Sequence, residues 1–149
     1  MQKEVLLEIV TQNQFTSHFS FDRVTEENAG LRLNNKTASI GFIYRHIGET
    51  INLFCQFFGI PTDVKNTTIG KTDNGEYYDV NVSRQLIERG YTMLKELAET
   101  STDENWLKPV DTPFFGTVSR MRLFAHVLFH NSHHAGQISM TLAKGNVPS

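Results

Sequence analysis

Apolar residues recur every three or four positions in four segments of the chain, and this helical spacing restricts the fold more than any other feature. The first such segment predicts a helix over residues 2–19. The second predicts a helix that starts after an N-cap at Thr37 or Ser39 and continues to about Phe58. Gly59, followed closely by a proline, is the residue type expected where that helix stops.

A long polar connection separates the second helix from the third. It extends from about residue 61 to residue 80 and contains several Asn, Thr and Gly residues. Loops of this length are usually functional or cross from one end of a domain to the other. Asn81 or Ser83 can cap the third helix, which we expect to end near Glu99.

The fourth helix is predicted to be the longest. Thr112 is a suitable N-cap and Pro113 suits a first helical position, so a helix, or a short turn leading into it, is expected to open there and to reach Lys144. We therefore predict an all-α fold, a four-helix bundle in which helices two and three are joined by the long connection. The length fits a single domain over residues 1–149.

Composition narrows the classes of function. The 149 residues contain 14 Lys plus Arg and 16 Asp plus Glu, a net charge of −2, which provides no basic surface for nucleic acid. No run of 18 apolar residues occurs, so no membrane span is expected. The acidic N-terminal segment does not resemble a signal peptide, and the single cysteine cannot form an internal disulfide. We expect a soluble, cytoplasmic protein that binds neither nucleic acid nor membrane.

Four of the six histidines fall within nine residues of the predicted fourth helix. His130 and His134 are four residues apart and so share one face, where both imidazoles can reach a single metal ion. His126 lies one turn before them on the same side. His133 is three residues from His130 and is the rival of His134 as a ligand.

His46 is the best-placed third ligand outside that helix. It lies in the apolar arc of helix two, and an imidazole directed into a bundle core needs a polar partner. Three histidine nitrogens leave coordination positions open, as catalytic metal sites do. Glu49, three residues later, is predicted to orient a ligand, accept a proton or add a fourth ligand.

Other metal sites and nucleophiles fit less well. A di-iron bundle needs Glu-x-x-His and a zincin protease needs His-Glu-x-x-His, and neither pattern occurs. Cys55 lies about 180° from His46 around helix two, which favours a packed apolar role over a nucleophilic one. His18, at the end of helix one, is predicted to face solvent or to cap the helix.

Two segments resemble the DinB/YfiT-like superfamily of metal-dependent enzymes. Helix two reads SIGFIYRHIGETINLF and helix four reads LFAHVLFHNSHHAGQIS. The resemblance lies in a histidine in the middle of helix two and in a His-x3-His pair followed by a small or basic residue and Gly-Gln-Ile. It covers most of the chain. Two positions depart from the family pattern, Ala135 in place of a frequent arginine and Ala38 in place of a frequent tryptophan, and neither removes a ligand.

The resemblance implies a four-helix bundle in which His46, His130 and His134 hold a divalent metal, and it selects His134 over His133. Zinc or nickel is the expected ion, with iron and manganese as the other options. The implied function is metal-activated thiol transfer or hydrolysis of a small molecule, with a low-molecular-weight thiol as one substrate class. Glu49, His126 and His133 are the candidate accessory groups for proton transfer or substrate orientation. The alternative is a non-catalytic metal-binding or interaction bundle.

Helix four also carries a second face of small and apolar residues, nearly opposite the histidines. Its members are Met121, Ala125, Leu128, Ala135, Ser139 and Leu142. We expect both the histidine face and this second face to be covered. One should face the bundle, and the other should face neighbouring elements or a second subunit. We therefore predict a homodimer.

Overall fold

Four long helices make up most of the fold in the computed structural model, which describes residues 1–147. In chain order the elements are α1 (Gln2–Phe21), α2 (Ile40–Phe54), a 3₁₀ helix (Cys55–Phe58), α3 (Val80–Thr100), a short α4 (Asp103–Leu107), β1 (Pro109–Thr112), β2 (Gly116–Ser119) and α5 (Arg120–Lys144). The strands β1 and β2 form an antiparallel hairpin. The predicted all-α four-helix bundle is confirmed, with the hairpin as an addition.

The four long helices pack in the cyclic order α1, α3, α2, α5. Helices α2 and α3 run in the same direction, since Arg45 bonds Ser83 while Asn52, further along α2, bonds Leu86. The connection between them therefore crosses the length of the bundle instead of turning back as a short hairpin would.

Helices α1 and α5 also run parallel to each other. Asn13 bonds Ser132, and seven residues later Ser20 bonds Ser139. Both run antiparallel to α2 and α3. The resulting up, down, down, up arrangement places the middle of α2 beside the middle of α5, where the histidines lie.

Helix α2 begins and ends as its local chemistry predicts. Ser39 Oγ accepts a hydrogen bond from the Phe42 amide at 3.2 Å, the bond of an N-cap. The α-helix stops at Phe54, and the 3₁₀ turn after it ends at Gly59, whose φ of 86° is a conformation that favours glycine. Asp73 of the crossover connection accepts bonds from both the amide and the hydroxyl of Ser39, which ties the connection to the start of α2.

Helices α2 and α3 pack unusually closely. A Cβ added at Gly90 would lie 2.4 Å from Cγ2 of Ile51, a separation that no side chain tolerates. The glycine therefore lets the two backbones approach and fixes the position of α2 against the rest of the bundle.

The core fills the space between the four long helices. Its largest fully buried side chains are Trp106, Tyr44, Tyr91, Phe21 and Phe124. Trp106, on α4, contacts Phe124 of α5 with ring centroids 4.8 Å apart. Cys55 is completely buried, and burial raises the pKa of its thiol to about 12, which confirms the packed role predicted for it.

The predicted start of the last helix was wrong. The Thr112 hydroxyl does accept a bond from a following amide, that of Phe115 at 2.9 Å, but the turn it caps joins β1 to β2. Helix α5 begins at Arg120, where Ser119 accepts from the Arg122 amide at 3.1 Å. A hydroxyl followed by a proline suits a β-turn as well as a helix N-terminus, and the local pattern does not separate the two.

The predicted cap of helix three was also wrong. Asp79 takes that position, and its carboxylate accepts from the Val82 amide at 3.0 Å. Asn81 and Ser83 instead lie inside the first turn of α3. Aspartate is as good an N-cap as asparagine or serine, so the helix starts two to four residues earlier than expected.

Helix α1 exposes most of the apolar residues that mark its periodicity. Of the six, Leu6 and Val10 are buried, whereas Val5, Ile9, Phe15 and Phe19 are exposed. The second face of α5 packs against α1, where Leu128 and Ala135 are buried. Within residues 1–147, no helix has the length and apolarity that crossing a lipid bilayer requires.

Candidate metal centre

Three histidines from α2 and α5 converge in the middle of the bundle. The Nε2 atom of His46 lies 2.9 Å from Nε2 of His130, and Nε2 of His134 lies 3.1 Å from the same atom. The three nitrogens all fall within 4.8 Å of one another. Helix α5 supplies two of them from adjacent turns, and the antiparallel α2 supplies the third.

The outer nitrogens of two of these rings contact hydrogen-bond acceptors. His134 Nδ1 lies 2.6 Å from Oε1 of Gln137, an atom that can only accept, so His134 carries its proton on Nδ1. His46 Nδ1 lies 3.3 Å from Oγ1 of Thr68, and that hydroxyl donates to Glu49. Both rings therefore direct an Nε2 lone pair at His130.

The inner nitrogens cannot satisfy one another by hydrogen bonding alone. Neutral His130 has a single N–H, and its Nδ1 is buried with no partner among residues 1–147. If the proton is on Nε2, it can serve only one of the two facing lone pairs at a time; if it is on Nδ1, three lone pairs face one another. Either arrangement leaves a convergent set of acceptors, which a cation would satisfy.

Electrostatics keep these imidazoles neutral. Burial, followed by the neighbouring imidazole of His134, lowers the pKa of His46 to about 4. Burial and the surrounding histidines lower the pKa of His130 to about 2, and burial lowers the pKa of His134 as well. Neutral imidazole is the form that binds metal, so the three rings are in a ligating state at pH 7.

The spacing of the nitrogens also fits one ion. Ligands about 2.0–2.1 Å from a tetrahedral zinc lie about 3.4 Å from each other. The separations of 2.9 and 3.1 Å from His130 are close to that value, and the whole set lies within 4.8 Å, so adjustment of the His46 and His134 side chains would bring all three nitrogens to one ion. Imidazole donors suit zinc, nickel and iron, and three of them leave coordination positions open.

A cavity of about 350 Å³ opens beside the cluster. His46 and His134 form part of its wall, and Thr68, Gln137 and Lys71 add polar groups. The apolar part of the wall includes Leu33, Ala38, Phe42 and Ile43. The size and the mixture of apolar surface with a few polar groups are typical of small-molecule sites.

Comparison with known proteins agrees with this fold. The family description of the DinB superfamily matches residues 10–138. The chain belongs to the DinB superfamily. A search of the curated proteins found no match.

Two solved structures share the fold of this DinB superfamily chain. A DinB-like protein from Bacillus cereus ATCC 10987 aligns with a TM-score of 0.75 at 19% identity, over 100% of this chain and 99% of its own. YfiT from Bacillus subtilis aligns with a TM-score of 0.73 at 12% identity, over 95% of this chain and 86% of its own. YfiT is described as "a probable metal-dependent hydrolase with an unusual four-helix bundle topology".

Glu49 lies near the cluster but contacts other groups. Its carboxylate is only 1% exposed and accepts bonds from the amides and hydroxyls of both Thr67 and Thr68. These four donors hold it against the crossover connection, and it is not part of the three-histidine cluster. Of the three roles predicted for Glu49, this geometry is compatible with orienting a ligand.

The remaining histidines of this DinB superfamily chain occupy three different environments. His126 packs against Phe54 and Phe115, its ring centroid is 5.9 Å from that of His130, and burial lowers its pKa. His133 is exposed and contacts Gln137. Spacing along α5 left His133 and His134 as alternatives, and the structure brings His134 into the cluster.

His18 lies away from the site. It pairs with Asp22 at 2.7 Å and with Glu88 of α3 at 3.0 Å, close to the helix-end position predicted for it. Thr67 and Thr68 were missed by the sequence analysis. The length of the connection marked the region as functional, but no local pattern in it distinguishes these threonines from its other polar residues.

Proposed function

We propose that this DinB superfamily chain is a metal-dependent hydrolase of a small molecule, with His46, His130 and His134 holding one divalent ion. The observation that carries the proposal is the convergence of three neutral imidazole nitrogens at the wall of a cavity. Zinc or nickel is the proposed ion ahead of iron and manganese, because borderline divalent ions prefer imidazole donors. YfiT, which shares this fold, is described as a probable metal-dependent hydrolase, and this supports the same assignment.

The residues around the three histidines are proposed to bind the substrate and to transfer protons. A bound divalent ion would supply Lewis acidity, by which water or a thiol loses a proton near neutral pH. Phe42 and Ile43 provide apolar surface for the body of a substrate, while Lys71 and Gln137 provide polar contacts at the same cavity. His126 and His133 are the proposed accessory groups for proton transfer, His133 from the exposed side of α5.

Metal content per chain tests the site. Protein purified without a histidine tag or nickel column should contain about one ion, and His46→Ala, His130→Ala and His134→Ala should each contain little. His133→Ala is the matched control, since it removes an imidazole next to the cluster that does not belong to it. A wild-type protein that takes up no zinc or nickel would favour an interaction bundle without a metal. One full equivalent in His130→Ala would show that the ligand set is wrong.

A second measurement separates hydrolysis from thiol transfer to a low-molecular-weight thiol. Cobalt-substituted protein is titrated with a small thiol such as cysteamine, and the near-ultraviolet absorption is followed for a thiolate-to-cobalt charge-transfer band. Hydrolysis predicts no saturable band, together with turnover of simple esters or amides. A saturable band would replace hydrolysis with thiol transfer. One bound ion with neither result would favour the non-catalytic metal-binding bundle.

A further inference from the structure

Thr68 lies between Glu49 and the metal-site residue His46. Its hydroxyl is 2.6 Å from Oε2 of Glu49 and 3.3 Å from Nδ1 of His46. We propose that Thr68, held by Glu49, is a positioning residue that keeps the His46 proton on Nδ1 and so keeps the Nε2 lone pair directed at the cluster. This inference rests on the proposed function, because it assigns the orientation of one proposed ligand.

The direction of each hydrogen bond follows from the groups involved. An ionised carboxylate can only accept, so the Thr68 hydroxyl donates its one proton to Glu49. The hydroxyl then has only lone pairs to offer His46, and an N–H on Nδ1 is the partner that fits. A histidine with its proton on Nδ1 has its lone pair on Nε2, which is the atom facing His130.

The connection is held firmly enough for this role. Glu49 also accepts from the amides of Thr67 and Thr68, each at 3.0 Å, and from the Thr67 hydroxyl. Asn66 Oδ1 accepts from the amides of Thr68 and Ile69. Thr68 is 2% exposed, so water does not readily replace its hydroxyl if the side chain is changed.

Partners that orient metal-bound histidines typically change metal affinity by about tenfold to hundredfold when they are removed. The usual partner is a carboxylate or a carbonyl in direct contact with the ring. Here a buried carboxylate acts through an interposed hydroxyl, which the crossover connection brings to α2 from outside the four helices. The parallel arrangement of α2 and α3 makes that connection necessary, and the connection in turn supplies the hydroxyl.

The experiment compares three threonine variants. Thr68→Val removes the hydroxyl at nearly constant shape, and Thr68→Ser restores it. Thr67→Val is the matched control, because it removes the other hydroxyl that donates to Glu49 without touching His46. The readouts are the zinc dissociation constant, from competition with a chelator, and the tautomer of His46 in metal-free protein, from ¹⁵N chemical shifts.

We expect Thr68→Val to bind zinc about tenfold to hundredfold more weakly, with Thr68→Ser and Thr67→Val close to wild type. His46 should carry its proton on Nδ1 in the wild type and shift toward Nε2 in Thr68→Val. Unchanged zinc affinity in Thr68→Val, or an equal loss in Thr67→Val, would overturn the inference. If the wild type bound no zinc, the proposed function would fail, and the tautomer measurement would still decide the role of Thr68.

A separate observation concerns the outward side of α1 and α5, which exposes an apolar surface, here called the α1–α5 face. Its large side chains are 48–73% exposed, and they are Val5, Ile9, Phe15, Phe19, Phe129 and Met140. Phe15 and Phe19 contact each other, and a groove of about 520 Å³ between the two helices is lined by Ile9 and Phe129 among others. We infer that a second copy of this chain packs on this face.

The exposed area agrees with a two-fold dimer. Six side chains of this size at these exposures present on the order of 600 Å² of apolar surface. That is at the upper end of the largest apolar patches on monomers, and a standard interface buries about 800 Å² per partner. In a two-fold interface the α1–α5 face of one copy contacts the α1–α5 face of the other, so the phenylalanine side chains of each copy pack against apolar surface. This face adjoins the second face of α5 that the sequence analysis offered to a subunit, since Ala125 and Leu128 of that second face line the same groove.

Light scattering on purified protein tests the dimer. We expect twice the mass of one chain for the wild type and one chain mass for Phe129→Glu, with helical content and metal content unchanged. Leu107→Glu is the matched control, because Leu107 is 75% exposed and lies on α4, which contributes no residue to this face. A monomeric wild type, or a Phe129→Glu variant that stays dimeric, would overturn the inference. A Leu107→Glu variant that dissociated would place the interface elsewhere.

Discussion

Two clusters of polar side chains lie on different sides of α5, and they are built in opposite ways. The first is the three-histidine cluster between α2 and α5. The second, here called the tyrosine network, lies between α1, α3 and α5 and consists of Asn13, Ser17, Tyr91 and Asn131. One cluster directs acceptors at acceptors, while the other alternates donors with acceptors.

The tyrosine network satisfies its polar atoms except Oδ1 of Asn131, which is buried with no partner among residues 1–147. The Tyr91 hydroxyl donates to Oδ1 of Asn13 at 2.7 Å and accepts from Nδ2 of Asn131 at 3.3 Å. Asn13 in turn donates to Ser132 and to the Leu128 carbonyl. Such a network links helices and needs no ligand. The histidines are half-buried, less deeply than Tyr91 and Asn131, but their cluster lacks enough protons for its nitrogens, and this difference separates a structural cluster from a binding site.

The largest expected effect that distinguishes the two clusters is stabilisation by metal. At free zinc about 1,000 times its dissociation constant, a ligand that binds only the folded state adds about 4 kcal/mol to the free energy of unfolding. We expect this gain in the wild type and in Tyr91→Phe, and its absence in His130→Ala. Denaturant unfolding with and without zinc measures it. An equal gain in His130→Ala would mean that zinc binds elsewhere.

The next effect is the pH dependence of the metal-free protein. The pKa values of His46 and His130, about 4 and about 2 in the folded state, lie below the usual 6.5, so the unfolded chain takes up protons first as the pH falls. The stability that these two neutral histidines contribute is therefore fully present above pH 6.5 and is lost as the pH falls below it. Between pH 6.5 and 5.5 each should reduce the free energy of unfolding by about 1 kcal/mol.

Urea unfolding in the presence of EDTA measures this slope. His46→Gln removes one titrating group and should reduce the loss of stability over this interval by about 1 kcal/mol, while His126 and His134, whose pKa values burial also lowers, still contribute to the slope. Tyr91→Phe should keep the whole slope, because the tyrosine network contains no group that titrates in this range. A slope that is the same in His46→Gln and in the wild type would contradict the neutral, buried state of that ring.

Removal of the tyrosine hydroxyl is the third effect. Tyr91→Phe leaves Oδ1 of the half-buried Asn13 without its donor and Nδ2 of the buried Asn131 without its acceptor. Leaving buried partners unsatisfied costs about 1–2 kcal/mol. The free energy of unfolding should fall by that amount with zinc stoichiometry unchanged. A loss of bound zinc would mean that the two clusters are coupled through α5.

The histidine cluster could be predicted from the sequence to a greater extent than its surroundings. Positions 46, 130 and 134 lie on helices, where periodicity fixes the face of each residue. Thr68 lies on an irregular connection, and its place depends on Glu49, Asn66 and the direction of α3. Periodicity cannot supply that direction, because parallel and antiparallel α3 bury the same face.

The predicted start of the last helix was wrong, and α1 exposes most of the apolar residues that mark its periodicity, for a related reason. Thr112 and Ser119 make the same kind of hydroxyl-to-amide bond, and only the pairing of β1 with β2 decides which one precedes a helix. In α1, Phe15 and Phe19 lie on the outer side of the bundle, while Ser17 and Ser20 are buried against α3 and α5. Small side chains allow close helix packing there, a requirement that a hydrophobicity pattern does not contain.

The smallest predicted effect concerns the second oriented ligand. Gln137 accepts from His134 Nδ1 just as Thr68 does from His46, but Gln137 is exposed, so water can take its place in Gln137→Ala. Zinc affinity should fall only about twofold to threefold, less than 1 kcal/mol. Gln137→Glu keeps the acceptor and adds charge, so its affinity should equal or exceed that of the wild type. Chelator competition on Gln137→Ala and Thr68→Val, measured side by side, compares the two partners directly. A hundredfold loss of zinc affinity in Gln137→Ala would show that burial of the partner does not decide how strongly it affects metal binding.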